Sequence, residues 1–436
     1  MKAELDYLQR LDIQELKPMQ VEAIEAISKG SEVILISPTG SGKTVAFLLP
    51  ILRLLDENKP GIQALILTPS RELALQIEKV FKTMQTGFKV NTCYGGHPIS
   101  TELNNLSVAP ALLIGTPGRV ADHIRRESFK TDSVQSLVLD EFDKSLELGF
   151  KDEMEFITQS LTRVVTKVLT SATSMSEIPA FVKLKHPVTI DYNSDEENIR
   201  LTVKVVRSEG TDKLEMLYRL ICDLKETASV IFCNHREAVN RISELLNDKG
   251  ITHGIYHGGM EQEKRELALI RFRNGTHHLL LTTDLASRGL DIPEIRNVIH
   301  YQLPGSLNIW THRNGRTARM EKQGVAWLIL AMDDYVPPFI TESFEEIKIN
   351  DCNQPPQPTP WETVYISAGK KDKISKGDIV GFLTQKGLLE KDDIGLIEVL
   401  DYAAFVAVKS KAVTGMLKQV KGEQLKKKKV KIEIAV

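Results

Sequence analysis

Hydrophobic and polar positions follow two alternating rhythms along most of the chain. Up to residue 192, short apolar runs at Val33–Ile36, Ala64–Leu67, Lys89–Tyr94, Ala111–Ile114, Leu137–Leu139 and Lys167–Leu169 read as strands. Between them, Glu72–Gln85 and Met154–Leu161 repeat apolar residues at helical spacing. Strand, helix, strand in this order predicts a parallel sheet with helices on both faces. Residues 193–200 begin NSDEEN, are polar and acidic, and read as a linker. From Leu201 the rhythm resumes. Strands are expected at Val230–Phe232, Ile251–Tyr256, Leu279–Leu281, Val298–Tyr301 and Val325–Leu330, and helices at Asp212–Leu224, Arg236–Asp248 and Gln262–Arg273. The expected domains are 1–192 and 201–346.

The segment Cys352–Pro360 holds four prolines in nine residues. It predicts a stiff extended spacer, with 347–360 as the second linker. Residues 361–436 then read strand (Thr363–Ser367), helix (Lys376–Gln385), strands (Gly395–Leu400 and Ala403–Val408), helix (Lys411–Val420), strand (Val430–Ala435). That βαββαβ order is the one used by RNA-recognition-motif folds. The fold class expected is α/β, with two tandem parallel-sheet domains followed by a small α+β domain.

A length of 436 residues fits about three domains. With 42% hydrophobic and 26% charged residues, wholesale disorder is excluded. Lys plus Arg number 56 and Asp plus Glu 58, a net charge of -2 that by itself names no partner. The charge is unevenly spread: residues 361–436 carry 15 lysines, no arginine and 10 acids, while the first 360 residues carry 41 basic and 48 acidic side chains. Cys93, Cys222, Cys233 and Cys352 form no C-x-x-C pair and are expected to be reduced. No stretch approaches the ~18 apolar residues of a membrane span, and the N-terminus lacks an apolar signal core. A cytoplasmic location with no membrane partner is expected.

The chemistry begins at Ser37–Thr44, SPTGSGKT, which lies between the apolar strand VILI and an apolar helix. A loop so placed turns backbone N–H groups and a helix N-terminus towards a phosphate. Gly40 and Gly42 allow close approach, with Thr39 and Ser41 in the same loop. Lys43 supplies charge for the β- and γ-phosphates, and the Thr44 hydroxyl is a Mg²⁺ ligand. The bland alternative is a Gly-rich turn with an incidental GKT. A second signal, Leu137–Asp143 (LVLDEFD), puts Asp140 and Glu141 at a strand's carboxyl end, where open α/β sheets bind ligands. Asp140 suits Mg²⁺ and Glu141 the proton of an attacking water. Alone they would be a capping pair; downstream of a phosphate loop they are not.

With further segments in order, the chain resembles the DEAD-box family of ATP-dependent RNA helicases. These are Pro18-Met19-Gln20, Pro69-Ser70-Arg71-Glu72-Leu73, Gly95-Gly96, Thr116-Pro117-Gly118-Arg119, Asp140-Glu141-Phe142-Asp143 and Ser171-Ala172-Thr173. The second half adds Ile231-Phe232-Cys233-Asn234, Gln262 to Arg265, Thr283 to Asp291 (TDLASRGLD) and His312 to Arg319 (HRNGRTAR). The resemblance implies two RecA-like domains, ATP and Mg²⁺ as cofactors, and RNA as partner. It implies that Gln20 reads adenine, Asp291 contacts the ribose, and Arg316 and Arg319 act as arginine fingers beside the catalytic Lys43, Asp140 and Glu141. Asp143, Ser171, Thr173 and His312 would couple nucleotide to RNA. Pro69, Arg71, Gly96, Thr116 and Arg119, with Gly258, Arg265 and Thr283, would hold one RNA strand by phosphates and 2′-hydroxyls. Joint binding of ATP and RNA would close the two domains and pry a short duplex apart.

There are departures from the family pattern. Ala3 stands where an adenine-stacking aromatic is usual, with Tyr7 nearby, and Phe142 replaces a small alanine between two acids. The last 76 residues resemble the RNA-binding domain of the DbpA subgroup through ISKGDIVGFLT (374–384) and the final strand. That likeness implies a hairpin of ribosomal RNA or a pre-ribosomal particle as target, and a role in large-subunit assembly. Asp401–Val408 keeps Phe405 but has Ala403 and Val408 where stacking aromatics are expected, so Lys370, Lys371, Lys426 and Lys427 are the contact candidates there. A monomer is favoured. Rival readings are a non-hydrolysing ATP-gated RNA clamp and a DNA-directed translocase.

Overall fold

The computed structural model describes residues 2–38, 40–175, 177–192, 201–284, 295–315, 317, 324–351 and 354–435. The first compact unit contains strands β1 (Val33–Ile36), β2 (Ala64–Leu67), β3 (Val90–Cys93), β4 (Leu112–Gly115), β5 (Ser136–Leu139), β6 (Thr166–Ser171) and β7 (Val188–Asp191). They form one parallel sheet in the order β3-β4-β2-β5-β6-β1-β7. β1, β2, β4 and β5 are buried at every residue, which is why each reads as an unbroken apolar run. Alternate side chains enter two cores. Leu35, Ile66 and Ile114 face one; Leu65, Leu67 and Leu113 face the other. β7 buries only Ile190 of its four residues, so this edge strand left no hydrophobic signature to read.

The second unit begins with β8 (Leu201–Arg207), β9 (Ser229–Phe232), β10 (Gly254–Tyr256), β11 (Leu279–Thr282), β12 (Asn297–His300), β13 (Gly324–Leu330) and β14 (Phe344–Glu346). Its parallel order is β10-β11-β9-β12-β13-β8-β14. β14 is exposed at all three residues and was likewise unreadable from hydropathy. Among the described residues no helix is long and apolar enough to cross a membrane. Cys93 and Cys233 are free and buried. Cys222 is disulfide-bonded, contrary to the expectation of reduced cysteines, and its partner lies outside the described residues. Sequence spacing excludes a zinc knuckle but not a bond between cysteines brought together in space.

The same unit ends in an antiparallel sheet of β15 (Trp361–Ile366), β16 (Ile394–Val399), β17 (Ala404–Lys409) and β20 (Ile432–Ile434), ordered β16-β17-β15-β20. A small hairpin, β18 (Gln424–Leu425) and β19 (Lys428–Lys429), precedes the last strand. Helices Lys376–Gln385 and Ser410–Gln419 pack on one sheet face through Ile379, Leu383, Val413 and Met416. The other face carries Tyr365 and Phe405, directly opposite each other with ring centroids 5.6 Å apart. That face lies against the helix Gln262–Arg273, where Ile270 (0% exposed) meets Phe405 and Ala435. Polar bonds ring this contact. Thr363 Oγ1 lies 2.7 Å from Thr276 Oγ1 and accepts from Asn274 Nδ2 at 3.2 Å; Arg273 pairs with Glu398 at 2.8 Å. Thr359 Oγ1 in the proline segment donates to the Thr276 carbonyl at 3.2 Å. The C-terminal module is therefore docked as well as tethered.

Ile270→Asp tests the docking. It would cost at least the ~2–5 kcal/mol of a buried Ile truncation, plus desolvation of a carboxylate. Calorimetry should then show residues 361–436 melting apart from the parallel sheet of the same unit; a single unchanged transition would contradict a cooperative interface.

Candidate nucleotide and RNA sites

In the first unit the candidate residues lie just beyond the carboxyl ends of parallel strands, and the strand order sorts them. β5, β6 and β1 are neighbours, and the loops after them carry Asp140–Asp143, Ser171–Thr173 and the phosphate loop. β3, β4 and β2 are also neighbours, and after them come Gly96, Thr116 with Arg119, and Pro69 with Arg71. Sequence motifs scattered over 150 residues thus sort into a candidate nucleotide half and a candidate RNA half of one sheet edge.

The phosphate loop is held open from within. Lys43, first residue of the helix Lys43–Leu54, is buried, and its Nζ donates to the carbonyls of Pro38 (3.0 Å) and Ser37. Gly42 sits at φ +99°, and a Cβ there would lie 2.4 Å from Gln20 Nε2. Glycine is thus required twice over, by conformation and by space. Gln20, 4% exposed, accepts from the Lys17 N–H at 2.9 Å and donates to the Gly42 carbonyl at 3.1 Å. Its amide is a strut for the loop, a role its position in sequence did not reveal. Tyr7 packs against the adjoining core. Ser41 Oγ is buried without a hydrogen-bond partner among the described residues. Thr39, Asp291, Arg316 and Arg319 lie outside the described residues.

The acid pair is buried, with Asp140 at 4% exposure and Glu141 at 6%. Thr170, which sequence reasoning missed, joins them: its Oγ1 donates to Asp140 Oδ1 at 2.5 Å and accepts from the Glu141 N–H at 3.1 Å. Burial, then the neighbouring Glu141 charge, raises the Asp140 pKa to about 6, against opposing pulls from Thr170 and Lys43. Glu141 is held at φ +44°, a left-handed backbone costly for a side-chain-bearing residue, and its Oε2 is buried without a hydrogen-bond partner among the described residues. Two crowded carboxylates short of positive charge form a donor set that suits a divalent cation with oxygen ligands. Thr173 Oγ1 donates to Asp143 Oδ2 at 3.0 Å, a direct bond between two of the segments expected to communicate. The Phe142 ring causes no crowding between the acids. It is fully buried in the hydrophobic core, 6.2 Å from the Phe181 ring.

In the second unit Gly258 and Thr283 follow the neighbouring strands β10 and β11, and Arg265 lies on the helix Gln262–Arg273. Beside His312, which is 1% exposed, the dominant group is Arg313, another residue not singled out from sequence. Its guanidinium is fully buried and donates to Asp284 Oδ1 (2.6 Å), the Gln302 carbonyl (2.8 Å) and Asn234 Oδ1 (2.7 Å), with the Phe232 ring 5.3 Å away. One arginine so ties the loops after β9, β11 and β12 to the helix Leu307–Asn314. His300 stacks on Trp310 at 4.8 Å, and burial followed by the Arg313 charge drops its pKa to about 3, so it stays neutral.

In the C-terminal module Lys370, Lys371, Lys426 and Lys427 are exposed and brought together. Lys426 Nζ pairs with Asp378 at 2.8 Å and donates to the Lys373 carbonyl at 3.1 Å, while Lys428 pairs with Asp372 at 2.5 Å. The Lys426 and Ser375 bonds pull the Asp378 pKa down to about 2. Lys426 (φ +49°) and Lys427 (φ +67°) form the two-residue turn of the β18–β19 hairpin. A turn with two positive φ values normally takes Asn-Gly. Two lysines there place charge where conformation disfavours it.

A phosphate loop, an acid pair two strands away and a second parallel-sheet unit with a buried arginine hub define a nucleotide-dependent motor of the two-sheet type. Comparison with known proteins gives the class its family. The DEAD/DEAH box helicase family matches residues 17–181, the helicase conserved C-terminal domain residues 212–321, and the DbpA RNA binding domain residues 363–434. The ATP-dependent RNA helicase DbpA of Escherichia coli (strain K12) is 31% identical over 99% of this chain and 97% of its own length. That of Bacillus subtilis (strain 168) is 31% identical over 98% and 96%. Among solved structures, Mss116p bound to single-stranded RNA and AMP-PNP superposes with a TM-score of 0.71 at 26% identity, covering 80% of this chain and 78% of that one. The chain belongs to the DEAD-box ATP-dependent RNA helicases, in the DbpA-like subgroup with a C-terminal RNA-binding domain. It is an RNA-stimulated ATPase that binds nucleotide and RNA.

The Asp140 shift carries a stability consequence. An acid raised from 3.8 unfolded to about 6 folded is penalised when ionised; the penalty is absent below the lower value and complete above the higher. Asp140→Asn, which keeps an oxygen for Thr170, should stabilise the nucleotide-free protein by up to about 3 kcal/mol at pH 7.5 and by clearly less at pH 5. Urea unfolding at the two pH values checks it; an equal effect at both would refute the assignment.

Proposed function

We propose that this helicase remodels structured ribosomal RNA during large-subunit assembly in the cytoplasm, acting as a monomer with Mg²⁺ and ATP. The observation that carries the reading is the meeting of the two lysine clusters, 370–373 and 426–428, on one exposed surface of the DbpA-type module. A patch of flexible ammonium groups recognises a folded RNA by its phosphates rather than by base edges. The second support is negative: Phe405 is packed under Ile270, so the sheet face is not offered for base stacking. The proposed domain limits are 1–192, 201–346 and 361–436, joined by 193–200 and 347–360.

In this reading the backbone of residues 39–42 and Lys43 bind the β- and γ-phosphates, with Gln20 at the adenine and Asp291 at the ribose. Thr44 and Asp140 would hold Mg²⁺, which neutralises charge developing on the phosphates. Glu141, held by its strained backbone, takes the proton of the attacking water. Arg316 and Arg319 stabilise the γ-phosphate charge. Ser171, Thr173, Asp143 and His312 relay nucleotide state towards RNA, starting from the Thr173–Asp143 bond. Pro69, Arg71, Gly96, Thr116 and Arg119, with Gly258, Arg265 and Thr283, hold single-stranded RNA. Thr170 bonds both members of the acid pair while the Phe142 ring lies in the core, which supports hydrolysis over a passive clamp.

Lys43→Ala and Glu141→Gln should each lower RNA-stimulated phosphate release by at least about 10²-fold, the scale of a lost acid–base group; undiminished release by Glu141→Gln would remove it as the base. Lys426→Ala with Lys427→Ala should weaken binding of a ribosomal RNA hairpin and flatten the plot of log affinity against log salt by about one to two units. Crosslinking in cells, followed by sequencing of bound RNA, tests the biological target. Reads concentrated outside ribosomal RNA would overturn the assembly role while leaving the helicase intact.

A further inference from the structure

We propose that Glu102 is a positioning residue for RNA binding: a buried carboxylate that fixes Arg119 and the turn Tyr94–His97 in a single arrangement. The proposal rests on the reading of Arg71, Gly96 and Arg119 as RNA contacts. Glu102 lies on the short helix Ile99–Leu106 and is 1% exposed. A carboxylate so far from water must be answered by donors and charge. Its Oε1 accepts the Tyr94 N–H at 2.9 Å and lies 2.9 Å from His97 Nε2. Its Oε2 accepts from His123 Nε2 at 2.7 Å and faces Arg119 Nε at 3.6 Å.

Each contact leads to an RNA candidate. Arg119 Nη2 donates to the His97 carbonyl at 2.9 Å, so the turn and the arginine are fixed to the same carboxylate and to each other. The Tyr94 ring stands edge-on to His97 at 4.7 Å and lies under the Arg71 guanidinium at 5.0 Å. Gly96, at φ +97°, leaves only 3.0 Å between a would-be Cβ and Arg71 Nη1. The loops after β2, β3 and β4 thus share one buried anion.

The ligand atoms of Cys93, Glu102 and His123 lie within 4.8 Å of one another, a spacing that would also suit a metal ion. Three features assign the cluster to hydrogen bonding instead. Both carboxylate oxygens already receive N–H donors. The Arg119 guanidinium supplies the countercharge. Burial, then the Glu102 charge, holds the Cys93 thiol far above its usual pKa, so it stays a neutral thiol.

The test uses the full-length protein, ATP, and an unstructured uridine oligonucleotide as RNA. Glu102→Gln keeps the length and one acceptor but removes the charge. It should raise the RNA concentration for half-maximal ATPase about tenfold, the scale of one charge-assisted bond. Turnover at saturating RNA, and the KM for ATP, should stay within about twofold, because RNA binding is the property altered. His97→Ala, which removes one contact without emptying a buried site, should shift half-saturation in the same direction and serves if Glu102→Gln does not fold. Arg119→Ala separates the two layers. If it leaves half-saturation unchanged, the RNA reading of Arg119 fails. If it raises half-saturation while Glu102→Gln and His97→Ala do not, the positioning role is wrong. A fall in turnover at saturating RNA with half-saturation unchanged would also overturn it.

Discussion

The constraint on which the first unit depends is that parallel strands release all their following loops at one edge. Crossover helices occupy both faces, so the carboxyl ends of the strands are the place where unspent backbone N–H groups and helix N-termini gather. Strand order then decides which loops become neighbours. The boundary between the candidate nucleotide half and the candidate RNA half falls between β5 and β2, which pair in register from Ala64 with Ser136 to Leu67 with Leu139. The Asp140 N–H continues that ladder onto the Leu67 carbonyl at 2.8 Å. A change at the acid pair is therefore one strand spacing, about 4.8 Å, from the chain that leads into Pro69 and Arg71. In the proposed assignment, communication between ATP and RNA needs no long path, because the two candidate sites are adjacent.

That edge is bought with local instability. Asp140 is buried beside another acid, Glu141 sits in a backbone region that favours glycine, and a Glu141 oxygen is buried without a hydrogen bond among the described residues. Each feature weakens the folded state, and all point at the place where phosphate charge must be handled. The surrounding strands are short and buried at all but one residue, so the core can hold such a site in place. Arg313 answers the same problem differently in the second unit, where a buried cation is fully met by an acid, an amide and a carbonyl.

What hydropathy revealed and what it hid follow from burial. Central strands such as Ala64–Leu67 are dry on both faces and were legible as apolar runs; β7 and β14, at the sheet edges, are mostly wet and were not. The motif residues Lys43, Asp140 and Arg119 were legible because their chemistry and order are unusual. Thr170, Arg313 and Glu102 were not singled out, because a threonine, an arginine and a glutamate at such positions look ordinary until their partners are known. Glu102 draws its meaning from Tyr94, His97, Arg119 and His123, which no spacing rule connects. Phe142 shows the same limit: its neighbours in sequence are acids, while its neighbours in space are Phe181 and the core.

The C-terminal module shows the same economy of surfaces. A four-stranded sheet with helices on one face leaves its other face free, and there Tyr365 and Phe405 form an aromatic pair of the kind that stacks bases. Here that pair is covered by the helix that also carries Arg265. Covering it removes a stacking platform but makes the module part of the unit that grips RNA. In the proposed reading the affinity comes from elsewhere, from the net charge of the tail hidden inside a chain total of -2. Lys373, Lys426 and Lys427 occupy left-handed turn positions, a conformational cost for a side-chain-bearing residue. Docking by a mainly apolar face and the proposed recruitment by a charged hairpin are separable in energy, since salt governs the second far more than the first.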